Sequence, residues 1–133
     1  RIVKSHIPEA VFRRGRLPSP TPDGFYRGAA DLWLARRWLG KTFRAIEGTG
    51  VNIVRRRGHE VSAYPFTFHA ARGLADPSLE VLALDYRQPQ NPWWLQRIVD
   101  ELVEVAPGKY LGKVHVRLPW GRPWSLAYFW LER

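Results

Sequence analysis

From residue 50 onward the chain follows one pattern: a short alternating or apolar segment, then turn chemistry, then another such segment. Gly50–Arg55, Val61–His69, Leu79–Arg87, Tyr110–Leu118 and Trp124–Glu132 read as strands. Arg56-Arg57-Gly58, Pro89-Gln90-Asn91-Pro92, Pro107-Gly108 and Trp120-Gly121-Arg122-Pro123 supply the turns. Trp93–Arg97 fits one helical turn, and Arg97–Val105 fits a strand or a helix. Pro65 inside the second strand implies an edge or a bulge. Strands joined this closely pair with their neighbours. The pattern therefore predicts a mainly β, antiparallel barrel or curled sheet, because closure removes exposed edges.

The first 50 residues read differently. Residues 1–22 are expected to be an extended basic arm: Arg1, Lys4, Arg13, Arg14 and Arg16 stand against one acid, and Leu17-Pro18-Ser19-Pro20-Thr21-Pro22 cannot continue a helix. Residues 23–133 then form a single barrel-like domain. Its leading helix is placed at 23–40, with Asp23 as N-cap, Gly40 as the stop, and Phe25, Ala29, Leu32 and Trp33 at helical spacing.

Several chemistries find no support. Cysteine is absent, so there is no disulfide framework, thiolate nucleophile or cysteine metal site. Gly48-Thr49-Gly50 lacks the Lys-Ser/Thr of a phosphate loop and the third glycine of a dinucleotide fingerprint. No serine stands in a G-x-S-x-G context. His6, His59, His69 and His115 are scattered, so no metal site and no cofactor is assigned. Methionine is also absent and arginine outnumbers lysine 17 to 4, which fits a thermophile and equally a GC-rich genome.

What remains is aromatic content and charge. Seven tryptophans, six phenylalanines and five tyrosines exceed what a small solid core requires, and many fall on strands. A barrel lined this way accommodates a flat apolar ligand oriented by a few polar groups. Tyr64, Phe66, Phe68, Tyr128 and Trp130 are the expected cavity walls, with Asp85, His115 and Arg117 as polar partners. Strand register decides which of these point inward. Asp85, Asp100 and Glu101 lie within or beside apolar strands, where desolvation raises a carboxyl pKa; Asp100, Glu101 and Glu104 also fit a solvated stripe, the reading preferred for Glu104.

Short segments then resemble a group of uncharacterised bacterial proteins with a lipocalin-like (calycin-like) barrel. They are Trp38-Leu39-Gly40-Lys41-Thr42-Phe43, Gly50-Val51-Asn52, Leu84-Asp85-Tyr86, Asn91-Pro92, Val99-Asp100-Glu101-Leu102, Pro107-Gly108-Lys109-Tyr110-Leu111-Gly112 and Tyr128-Phe129-Trp130-Leu131-Glu132. The resemblance implies a barrel that holds a small hydrophobic molecule. The chain lacks the Gly-x-Trp of a lipocalin first strand and the paired cysteines of secreted members, which points to a cytoplasmic setting.

Three functional readings follow. The first is binding of a small apolar or aromatic molecule. The second is a cofactor-free isomerase, cyclase or hydratase using Asp85 with Tyr86 or His115. The third draws on the net charge of +9, which favours nucleic acid or an anionic membrane surface. Asp31–Phe43 has the Trp, Arg and Lys composition of an interfacial helix, so peripheral membrane contact is an alternative setting. Exposed aromatics also suit a homodimer seam.

Overall fold

The computed structural model describes residues 2–30 and 35–133, and only the backbone of residues 2–6. A helix, α1 (Ile2–Arg14), precedes eight strands. These are β1 (Gly24–Ala30), β2 (Trp38–Arg44), β3 (Thr49–Arg56), β4 (His59–Arg72), β5 (Glu80–Asp85), β6 (Ile98–Ala106), β7 (Lys109–Val116) and β8 (Trp124–Glu132). Each strand pairs antiparallel with the next, and β8 pairs with β1, so the sheet closes into a barrel. The ambiguous segment after Arg97 is strand β6, preceded by a 3₁₀ turn at Leu95–Arg97.

The helix does not lie where the spacing placed it. Gly24–Ala30 and Trp38–Arg44 are strands, and residues 31–34 of the expected helix lie outside the described residues. Alternation wins over the 3.6 period here. Tyr26 is buried in the barrel while its neighbours Phe25 and Arg27 are exposed. The basic arm is helical over Ile2–Arg14 rather than extended. Arg13 and Arg14 in its last turn sit where the helix dipole favours cations. Phe12 is buried against Val81, Val103 and Leu111 on the outer face of the barrel. Beyond the helix, Arg16 exchanges backbone hydrogen bonds with Glu104, tying the segment to β6.

The interior is filled from one end. Tyr26, Phe43, Phe66, Phe68, Tyr110 and Phe129 are all buried and belong to one cluster with Leu82, Leu84, Leu102 and Leu131. Their rings meet edge-on: Tyr26 with Phe43 at 5.7 Å, Tyr26 with Tyr110 at 5.3 Å, Phe43 with Phe66 and with Phe68 at 5.5 Å. This plug fits a tightly curved sheet because glycines stand opposite large rings. Gly50 pairs with Phe66 across β3–β4, and Gly112 with Phe129 across β7–β8. A Cβ at either glycine would overlap the facing ring.

A bulge shapes the other end. Between Gly50 and Asn52 of β3, strand β4 carries one extra residue, with Tyr64 and Pro65 standing opposite Val51. Tyr64 adopts a φ of 56°, a left-handed conformation that costs free energy for a residue with a Cβ. The carbonyls freed by the bulge are paired by side chains. Asn52 Nδ2 donates to Tyr64 O at 2.9 Å, and Asn91 Nδ2 donates to Pro65 O at 2.9 Å. Gly112→Ala is expected to destabilise the fold by about 1–3 kcal/mol through overpacking against Phe129. Chemical denaturation checks this; an unchanged midpoint would show that the ring is free to move aside.

Candidate functional site

Above the aromatic plug the barrel interior turns polar, then opens. Lys41 of β2 points inward beside Phe43, and its side chain is nearly fully buried. Its Nζ donates to Asn52 Oδ1 at 2.8 Å and Tyr86 OH at 2.5 Å, and lies 3.1 Å from Asp100 Oδ2. Tyr86 OH donates to Asp100 Oδ2 at 3.0 Å and accepts from Asn52 Nδ2 at 3.0 Å. Trp38 Nε1 completes the set by donating to Asn52 Oδ1 at 2.9 Å. The Lys41 ammonium also lies 5.1–5.4 Å from the ring centroids of Trp38, Phe66, Tyr86 and Phe129.

Burial sets the protonation of this group. Desolvation pushes the Lys41 ammonium below its ordinary value, and the Asp100 charge opposes that shift. Desolvation, reinforced by Asp100, pushes the Tyr86 hydroxyl well above its ordinary value.

The network floors a cavity of about 500 Å³. Val54, Leu95, Ile98, Val114 and Leu126 supply apolar wall, and Trp38, Asn52, Tyr86 and Asp100 supply the base. Arg37, Arg55, Arg56, Tyr64 and Trp94 stand around the opening. Arg56 lies over the Tyr64 ring at 5.6 Å and donates to its hydroxyl at 3.0 Å.

The residues singled out from sequence divide between several places. Tyr64 and Tyr86 line the cavity. Phe66 and Phe68 point inward but belong to the plug rather than the cavity wall. Tyr128 and Trp130 are not cavity walls: they pack on the outer face against the cluster that holds Phe12. Tyr128 OH donates to Glu9 of α1, and Phe12 meets the Tyr128 ring at 6.2 Å. The cause is register. Phe129 and Leu131 face inward on β8, so Tyr128 and Trp130 face out.

Asp85, His115 and Arg117 also do not point inward. Asp85 forms an ion pair with Arg117 at 2.8 Å on the outside of the barrel. His115 is fully buried there, with Nε2 on Glu101 Oε1 at 3.1 Å and Nδ1 at 3.3 Å from Ser125 Oγ. Glu101 Oε2 accepts the backbone N–H of Leu74 at 2.7 Å, so the 73–79 loop covers this line of groups. Ser125, His115 and Glu101 stand in the order of a nucleophile, a base and an orienting acid. Two cavities beside the line, of about 170 and 370 Å³, are lined by Glu101 and not by Ser125. Tyr86 lies on the opposite face from Asp85 and His115, so the proposed proton-transfer trio is not one site. Among the described residues no group of three or more His, Asp or Glu is placed to hold a metal ion.

Sequence reasoning missed Lys41, Asn52 and Asp100 as a unit. Of the two readings open for the acids of β6, burial holds for Asp100 and Glu101, which lie on opposite faces of the strand, while Glu104 is half-buried. Two consecutive acids on a strand between apolar neighbours cannot both face water in a closed barrel, and that was the available signal.

Removing one partner of the buried pair leaves the other charge uncompensated. Asp100→Asn is expected to cost about 3–5 kcal/mol by denaturation. Lys41→Met/Asp100→Asn, which buries no charge, should be the more stable of the two. Alkaline stability follows from the tyrosines. Burial raises Tyr86, Tyr110 and Tyr128, so the folded chain keeps protons that the unfolded chain releases near pH 10. These groups therefore leave stability intact below about pH 10 and diminish it as pH rises further. Lys41 acts with opposite sign, favouring the folded state as pH rises towards its ordinary 10.5. Phenolate absorbance from the three tyrosines should appear only together with loss of the folded circular-dichroism signal.

Comparison with protein-family models, with curated proteins and with solved structures finds no match to this chain, so its functional reading rests on the geometry of the barrel.

Proposed function

We propose that this chain binds a small amphiphile, an apolar or aromatic body carrying an acidic group, in the open end of its barrel. The observation that carries the reading is the cavity of about 500 Å³, apolar in its walls and ringed by arginines at its mouth. Its volume falls within the range of small-molecule sites, roughly 300–1,000 Å³. Eight-stranded barrels are just wide enough to hold one small ligand when side chains leave room. The resemblance to lipocalin-like proteins points the same way, by analogy of fold.

The floor and the mouth have different roles in this reading. Lys41, Asn52, Tyr86 and Asp100 satisfy one another, so the floor presents a closed network to the apolar end of the ligand. Arg37, Arg55 and Arg56 offer charge at the opening, where an acidic group keeps part of its hydration. The proton-transfer alternative drew on Asp85, Tyr86 and His115, which lie on two faces of the sheet, and so the geometry favours binding.

Titration with anilinonaphthalene sulfonate, an aromatic anion, tests the reading. Single-site, saturable fluorescence enhancement is expected. Val114→Trp fills the cavity and should abolish it while the circular-dichroism spectrum stays unchanged. Arg55→Ala/Arg56→Ala should weaken the sulfonate up to about tenfold and leave neutral phenylnaphthylamine nearly unaffected. Dye binding that survives Val114→Trp would place the ligand elsewhere and overturn the proposal.

A further inference from the structure

The two ends of the barrel differ in charge and in exposed apolar surface. The strand directions bring residues 35–37, 57–58, 86–97 and 117–123 to the end where the cavity opens. These segments contain arginines, among them Arg37, Arg57, Arg87 and Arg97, and no aspartate or glutamate. The loops at the closed end, 45–48, 73–79 and 107–108, contain Glu47 and Asp76 and no lysine or arginine, and the segments that enter β1 and leave β8 there add Arg16, Asp23 and Arg133, so basic and acidic residues are mixed at that end.

The exposed tryptophans follow the same division. Trp93, Trp94, Trp120 and Trp124 are 76%, 53%, 75% and 60% exposed, and all four lie at the open end. None of the four belongs to the buried cluster that fills the barrel. Trp94 and Leu126 are exposed on this surface and also line the cavity, so the outer apolar patch runs into the binding space without a polar break.

We propose that the mouth of the barrel docks on an anionic lipid bilayer. The four tryptophans enter the interfacial layer, the arginines around them meet the headgroups, and an amphiphile passes between bilayer and cavity without crossing water. The inference rests on reading the cavity as a site for such a ligand. Charge selects the surface, because each basic residue held near an anionic leaflet adds to attraction. Tryptophan selects the depth, because its ring is apolar and its N–H is polar. A single-stranded nucleic acid also uses arginines and aromatic rings, but it needs a groove that follows a strand. Here the rings surround a cup closed at its far end by the aromatic plug.

The test follows tryptophan fluorescence of the intact chain on adding phosphatidylcholine vesicles, with and without phosphatidylglycerol, and with brominated acyl chains. Binding is expected to vesicles containing phosphatidylglycerol, to weaken as salt rises, and to be quenched by the brominated chains. Arg57→Ala/Arg87→Ala should weaken partitioning by roughly 30-fold. Trp93→Ala/Trp120→Ala should remove most of the quenching and leave sulfonate dye binding in solution unchanged. Val114→Trp separates the two proposals: it loses the dye and keeps the vesicles when both hold, and it keeps both the dye and the vesicles when only the cavity reading is wrong. The docking proposal is overturned by absence of vesicle binding, or by binding without quenching. It is also overturned by a single-stranded oligonucleotide that displaces the vesicles, or by a dimer in solution that hides these tryptophans.

Discussion

A lysine taken out of water must be given other partners, and the interior of this barrel is arranged around that requirement. Lys41 is held by one carboxylate, two neutral oxygens and the faces of four aromatic rings. Each partner comes from a different strand: Asn52 from β3, Asp100 from β6, Phe129 from β8, with Tyr86 just past the end of β5. The polar layer therefore reaches across the barrel and fixes strands that are distant in sequence. It also divides the interior. Below it the rings of Phe43, Phe66 and Phe68 leave no room, and above it the walls stay apart. Buried ion pairs contribute little net stability compared with apolar replacements. What this one supplies is a polar boundary at a defined depth.

The same alternation that places Lys41 inside creates a second polar layer outside. Asp100 faces in and Glu101 faces out, and each is buried because each side of β6 is covered. The interior covers one side. The α1 helix and the 73–79 loop cover the other. Glu101 then requires partners of its own, and His115 and the Leu74 N–H provide them. Lys113 meets Glu9 of α1 in the same way, at 3.2 Å. The helix thus docks through one aromatic, Phe12, and one acid, Glu9, rather than through a long apolar stripe.

This arrangement explains what could be read from the sequence and what could not. The later strands were legible because glycine and proline turns bracket them and their alternation is clean, as in Lys113, His115 and Arg117 against Val114 and Val116. The first two strands were not. Phe25, Ala29, Leu32 and Trp33 satisfy a helical period by coincidence, and the contrary signal was the run of small residues at Gly24, Gly28 and Ala30 on one strand face. Gly28 lies under Trp38, a contact between β1 and β2 that no local pattern announces. The site was half legible. Tyr64 and Tyr86 carry an aromatic signal, whereas Lys41 in a basic chain reads as one more surface cation. Its inward direction depends on closure of the barrel, a long-range property. The faces of β8 were misassigned for the same reason: Phe129 and Tyr128 are equally aromatic, and only the bulge between Val114 and His115 sets which one enters the core.

Closure of the polar layer also bears on how a ligand enters, on the proposed reading. A donor already engaged gains little by exchanging one acceptor for another, since each hydrogen bond formed replaces one broken. Lys41, Asn52 and Tyr86 are engaged with one another, so an acidic group pushed to the floor would displace Asp100 and bring a second negative charge into the same space. At the mouth the balance reverses. Arg37, Arg55 and Arg56 stand near water, and an acid meets them without full desolvation. The apolar end therefore goes in first and the acidic end stays at the rim. The strained Tyr64 backbone belongs to this division. Its carbonyl is held by Asn52 of the floor, while its hydroxyl is held by Arg56 of the rim. The bulge fixes the depth between the two layers, and with it the length of apolar chain or ring that the cavity can accept.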